Sequence, residues 1–116
     1  MISRKNRFRG RNSLDHVYKK GRTVKSGPLS LKYVPSKRED YRLAVVVSKK
    51  VSKSAVTRNR IRRRIFELFR KKRAEYGTPI NHDFIISVFD DKLADMPAEE
   101  LSRMFEKLMS SAHIGP

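Results

Sequence analysis

Residues 43–47 (Leu-Ala-Val-Val-Val) are the longest unbroken aliphatic run, and the next apolar feature, Ile61, Ile65, Leu68 and Phe69, repeats at helical spacing. Together they constrain the fold. The run is far short of the roughly 20 residues that span a bilayer, so no membrane is implied. It suits a central, buried strand, here residues 41–48, because such strands read as continuous apolar stretches rather than alternating ones. The later stripe is a narrow seam on an otherwise polar helix over residues 55–76. That seam has to pack on an apolar layer.

The rest of the chain supplies a small set of elements. Leu14, Val17 and Tyr18 predict a short helix over residues 13–20, ended by Gly21. Leu29, Leu31 and Tyr33 alternate with polar neighbours, a strand between two environments. Residues 83–89 read as a third strand. Leu101, Met104, Phe105 and Leu108 mark a last helix after Pro97, over residues 98–109. Residues 1–11 are a basic arm, mobile or ordered by contact, and residues 110–116 a frayed tail. The order is helix, strand, strand, helix, strand, helix, a single-domain α/β sandwich spanning residues 1–116 with helices covering one sheet face.

Charge is the main anomaly. The chain has 116 residues and a formal net charge of +16. Residues 1–73 hold 25 Lys+Arg and 4 Asp+Glu, whereas residues 74–116 hold 3 and 8. Like charges so concentrated repel one another in the compact state. A polyanionic partner offsets that repulsion, nucleic acid first through counterion release and anionic membrane second. The absence of cysteine excludes disulfides and thiolate metal sites. The basic amino terminus has no apolar core behind it, which is unlike a secretory signal. These readings point to a soluble protein of a reducing compartment, the cytoplasm.

The basic constellation is residues 48–73, SKKVSKSAVTRNRIRRRIFELFRKKR. On a helical wheel Arg58 and Arg62 flank one shoulder of the apolar stripe and Arg60 and Arg64 the other. Asn59, Arg63 and Arg70 fall nearly opposite it. Guanidinium groups suit phosphate because they are always charged and offer paired donors. Cations near a helix N-terminus oppose the macrodipole, so a ligand phosphate is the natural source of the missing negative charge. Spacing alone does not choose RNA over DNA.

The same segment resembles the signature of the protein subunit of bacterial ribonuclease P: a strand ending Ser-Lys-Lys, a short loop, Ala, then Arg-Asn-Arg-Ile-(Lys/Arg)-Arg and a helix running to Phe-Arg. NRFRGRNSLDHVYKKGRTV and HDFIISV are similar to the family's opening and late-strand segments. The resemblance implies an α+β fold, a four-stranded sheet with helices on one face and a left-handed βαβ crossover, like ribosomal protein S5 domain 2. It implies a partner in a catalytic RNA that removes the 5′ leader of precursor tRNA, with no further protein partner required. The hydrolytic chemistry and the Mg2+ then belong to the RNA and substrate, and the protein has no catalytic residue or bound cofactor of its own. Arg58, Asn59, Arg60, Arg62 and Arg63 match the motif for RNA contact. Tyr18, Lys32, Lys49, Lys50 and Lys53 fall to a leader cleft between the sheet and the long helix. Leu14 stands where a second aromatic is frequent, and Phe66 where a basic residue is common, so each offers only apolar contact.

Other chemistry finds little support. His16, His82 and His113 lack ligand spacing, and adjacent Asp90 and Asp91 suit capping of a loop better than metal binding. Tyr33 and Phe89 read as core residues. No nucleophile–base arrangement is apparent. A ribosomal-type or RNA-chaperone protein with no part in tRNA processing is the rival reading. A DNA-binding role is disfavoured by the lack of a helix-turn-helix.

Overall fold

Ser54 and Gly77 bracket the element that organises the molecule. The computed structural model describes residues 6–8, 11–77 and 79–112, and its longest helix runs Ala55–Tyr76. The Ser54 hydroxyl accepts from the Thr57 N–H at 3.2 Å, satisfying one of the free amides of the first turn. Gly77 closes the helix at φ 70°, a left-handed cap that a side chain would strain. In chain order the elements are α1 (Arg11–Lys20), β1 (Arg22–Ser26), β2 (Leu29–Pro35), β3 (Arg42–Val47), α2 (Ala55–Tyr76), β4 (His82–Val88) and α3 (Ala98–Ala112). A 3-10 turn, Asp91–Ala94, precedes α3.

The sheet order is β1-β2-β4-β3, with β3 and β4 parallel and the other pairs antiparallel. Two expectations change here. Residues 22–26 form a strand that apolar patterning does not announce. Its signal is the two-residue Gly27-Pro28 turn, with Gly27 at φ 54° and a proline fixed at negative φ behind it. The apolar run of β3 lies at the sheet edge, not its centre. The central position belongs to β4, whose Phe84, Ile85 and Ile86 are fully buried on both faces.

Strand alternation sorts the two faces. Leu29, Leu31, Leu43, Val45, Val47, Phe84, Ile86 and Val88 join Ile61, Ile65 and Phe69 of α2 and Leu101, Phe105 and Leu108 of α3 in one core. Phe69 stands at its centre, with ring centroids 4.8 Å from Tyr41, 5.0 Å from Phe84 and 6.3 Å from Phe105. Truncating a ring so placed costs about 3–5 kcal/mol. Leu68, read as part of the stripe, is only partly buried against α3.

The opposite face carries α1, so the helices do not form a single layer. Val17 of α1 and Ile85 of β4 are buried (0% and 1% exposed) outside the main core. Gly21 ends α1 by close approach rather than by a left-handed turn, since a Cβ there would meet the Val17 carbonyl oxygen at 2.5 Å. At the termini, Asn6 donates to the Tyr41 carbonyl at 2.6 Å, so part of the basic arm is ordered by contact. Helix α3 continues to a buried Ala112, so residues 110–112 are not frayed. Residues 1–5, 9–10 and 113–116 lie outside the described residues.

Candidate nucleic-acid interface

Two arginines on one shoulder of α2 reach back over the loop that leads into it. Arg58 donates to the Ser52 carbonyl at 2.9 Å. Arg62 bonds the Asn59 side-chain oxygen at 2.7 Å and approaches the Val47 carbonyl at 3.4 Å, at the end of β3. Lys49, Lys50 and Lys53 are exposed on the same loop. Asn59, Arg62, Arg63 and Phe66 line a shallow depression, with the Phe66 ring also packed on the core. Arg58, Asn59, Arg62, Arg63 and the three lysines therefore form one basic arc around the N-terminal end of α2.

The other shoulder behaves differently. Arg64 donates to the carbonyls of Leu93, Ala94 and Met96 at 2.7, 3.1 and 2.5 Å. It closes the 3-10 turn and serves the fold. Arg60 pairs with Asp95 at 3.2 Å across the same junction, both side chains exposed. The motif groups Arg60 with the RNA-contact residues, whereas the structure keeps it on the opposite shoulder that the helical wheel gives it.

A trough between α2 and the sheet is absent, because Ile61, Ile65 and Phe69 fill that space at 0% exposure. The open surface is the α1 face. There Lys25, Ser30, Ser87 and Val46 form a cross-strand row by register, and Lys32 lies on the adjoining row, its Nζ 3.1 Å from the Thr23 hydroxyl. Leu14 and Tyr18 of α1 border this face one helical turn apart. Leu14 is half-buried, whereas Tyr18 is 45% exposed and available for contact. Phe89, expected in the core, is 65% exposed because it continues β4 past Val88 onto the α1 face. Tyr33 packs at the edge of the core as expected.

An ion pair holds α1 in place. Arg42 donates twice to Asp83, at 2.9 and 2.6 Å, and once to the Ser13 hydroxyl at 3.1 Å, with its guanidinium 4.9 Å over the Phe8 ring. The Asp83 hydrogen bonds raise the Arg42 pKa against the opposing effect of burial. Sequence reading missed this group. Asp83, a lone acid directly before the continuous apolar run Phe84, Ile85 and Ile86, is the signal that marks it.

The remaining titratable groups are structural. Asp90 accepts from the Lys92 N–H at 2.9 Å, capping the 3-10 turn as expected. Burial between aromatic neighbours lowers the pKa of His82, whose ring stacks on Phe84 at 5.9 Å. Among the described residues no three His, Asp or Glu side chains gather into a metal site. No helix of the described residues is long and apolar enough to cross a membrane.

Similar proteins carry the same fold. Residues 2–113 match the Ribonuclease P family. The ribonuclease P protein component of Macrococcus caseolyticus is 32% identical over 107 residues, covering 91% of this chain and 89% of that protein. That of Pseudanabaena sp. is 44% identical over 72 residues, 61% of this chain and 62% of that protein, so the match spans less than two-thirds of that relative. The RNase P protein of Staphylococcus aureus aligns with a TM-score of 0.80 at 26% identity, covering 96% of this chain and 98% of that one. The RNase P protein of Thermotoga maritima shares the fold, with a TM-score of 0.73 at 21% identity over 88% of this chain and 93% of that one. Signature, sheet order and these likenesses agree, and the chain belongs to the ribonuclease P protein component family.

Proposed function

We propose that this chain is the protein subunit of a cytoplasmic ribonuclease P, binding the catalytic RNA and the 5′ leader of precursor tRNA and so assisting removal of the leader. The observation that carries the reading is the continuity between the basic arc on α2 and the open sheet face beside α1, which meet where Arg62 approaches the end of β3. Arg58, Asn59, Arg62 and Arg63 serve the RNA subunit, and Arg60 contributes from the far shoulder. The leader, a flexible single strand, crosses the α1 face. Lys32, Lys49, Lys50 and Lys53 neutralise its phosphates, and Tyr18 offers a stacking surface with Leu14 and Phe66 as apolar neighbours.

In this reading the protein performs no bond-breaking step. Mg2+ resides with the RNA and the substrate phosphates. The protein raises the affinity for leader-bearing substrate by lowering phosphate repulsion at the docking surface.

Reconstitution tests the proposal. The chain is mixed with a bacterial ribonuclease P RNA and a 5′-extended tRNA at low Mg2+, and mature 5′-end formation is followed. Stimulation of cleavage is expected. No stimulation, with tight binding to ribosomal RNA instead, overturns it in favour of a binding protein outside tRNA processing.

A further inference from the structure

We propose that Phe89 is a stacking platform for one unpaired base of the bound strand, with Val46 as the apolar floor of that subsite; the inference rests on the leader-binding reading above. Two of the largest exposed apolar groups among the described residues, Phe89 at 65% and Val46 at 38%, fall on the α1 face at its end near the β3–α2 loop. Val46 pairs in register with Ser87, two residues before Phe89 on the same face, so the two side chains are diagonal neighbours. The backbone beneath the ring is anchored. The Phe89 N–H donates to the Pro28 carbonyl at 2.9 Å, and the next residue, Asp90, caps the 3-10 turn. An aromatic on an ordered strand end has only its two side-chain torsions to lose on binding.

The local charge selects a base over a phosphate. Asp90 and Asp91 follow the ring directly, which disfavours a phosphate beside it, while the lysines of residues 49–53 and Arg62 lie across the β3 edge for the backbone. A single strand therefore meets cations along one border and an apolar surface at the other. The small side chains of Ser87 and Ala44 leave the intervening floor low.

The test uses the holoenzyme reconstituted with a bacterial ribonuclease P RNA. Affinity is measured for mature tRNA, for precursor tRNA, and for precursors with a single abasic nucleotide moved along the leader. Phe89→Ala is expected to weaken precursor binding about tenfold and leave mature tRNA unchanged, and Phe89→Tyr to restore it. One abasic position should weaken the wild type by the same factor and the Phe89→Ala variant no further. Because the chain has no tryptophan, Phe89→Trp adds a single fluorophore that the precursor should quench and mature tRNA should not. Equal losses for both RNAs, or abasic losses that multiply with Phe89→Ala at every position, overturn the subsite while stimulated cleavage upholds the function. A wild-type chain that gives no stimulation overturns the function, and the subsite with it.

Discussion

Replacing Arg42 with methionine breaks a buried ion pair between β3 and β4 whose guanidinium also reaches Ser13 of α1. The Arg42 and Asp83 side chains are only 15% and 5% exposed, so removing the cation strands a carboxylate with little access to water. Breaking a buried pair from one side costs about 3–5 kcal/mol. The lower figure applies here because Arg42 keeps some solvent contact. About 3 kcal/mol corresponds to a fall in Tm of roughly 15 °C for a domain near this size. The control is Arg70→Met, which breaks the fully solvated pair with Glu67, 67% and 51% exposed, and should leave stability essentially unchanged. Thermal and urea unfolding measure both. A double variant, Arg42→Met with Asp83→Leu, is expected to recover most of the loss, since an apolar pair removes the stranded charge. Arg42 also holds the Ser13 hydroxyl and faces the Phe8 ring. Arg42→Met therefore loosens the start of α1 and reduces discrimination between precursor and mature tRNA, a loss the double variant does not repair. A cost below about 1 kcal/mol for Arg42→Met, indistinguishable from Arg70→Met, would refute the account of how α1 is docked.

Arg58→Gln and Arg62→Gln should lower the salt dependence of binding to the RNA subunit, the log–log slope falling by about 1 per lost phosphate contact. Arg64→Gln should cost about 2–3 kcal/mol by freeing three carbonyls, with the slope unchanged; titrations at several salt concentrations separate the two behaviours. Tyr18→Ala should weaken precursor binding more than mature tRNA binding, and equal losses remove Tyr18 from the leader surface. Burial pushes the Asp40 carboxyl up, but Arg73 and the Tyr41 and Ile80 N–H groups outweigh it and hold the pKa below the ordinary value. Its contribution is thus complete above about pH 4 and is lost as pH falls through the lowered value, so Asp40→Asn should flatten acid unfolding. Sulfate should raise the Tm of the free protein by binding the folded basic surface, and an unchanged Tm removes charge repulsion as a limit on its stability.

The legibility of each element follows from what its residues need. The α2 stripe, the end at Gly77, β4 and α3 were readable because apolar spacing and punctuation agree there. Strand β1 was not, because Arg22, Thr23 and Lys25 face water and only Val24 and Ser26 turn toward α3. Continuous apolarity in β3 suggested a central strand. In fact its outer face is made of Arg42, Ala44 and Val46, apolar in part without being buried. Composition cannot distinguish a residue that packs from one that waits for a ligand. The same ambiguity hid Phe89, whose neighbours Ile85, Ile86 and Val88 are core residues. The candidate site was legible as a motif and the helical wheel divides its arginines between two shoulders of α2, but the partners each shoulder meets were not legible, because they depend on what packs beside the helix.

That division also explains the uneven charge along the chain. Two acidic residues of the last third, Asp95 and Glu106, pair with cations of α2. Asp95 meets Arg60, the 3-10 turn and the residue Met96 after it present three carbonyls to Arg64, and Glu106 of α3 takes Lys72 at 2.7 Å. Each lies on the side of α2 facing the 3-10 turn or α3. Neither Asp95 nor Glu106 falls on the shoulder beside β3, where Arg58 and Arg62 bond only neutral oxygens. Negative charge is thus spent stabilising one flank, and the positive potential is left on the other, next to the open α1 face. An even distribution of the same acids would neutralise both flanks and leave a polynucleotide no preferred approach. Asp95 and Glu106 in this sense shape the basic surface, since they leave the uncompensated guanidinium charge on the β3 side of an arginine-rich helix, the side the proposed function assigns to RNA.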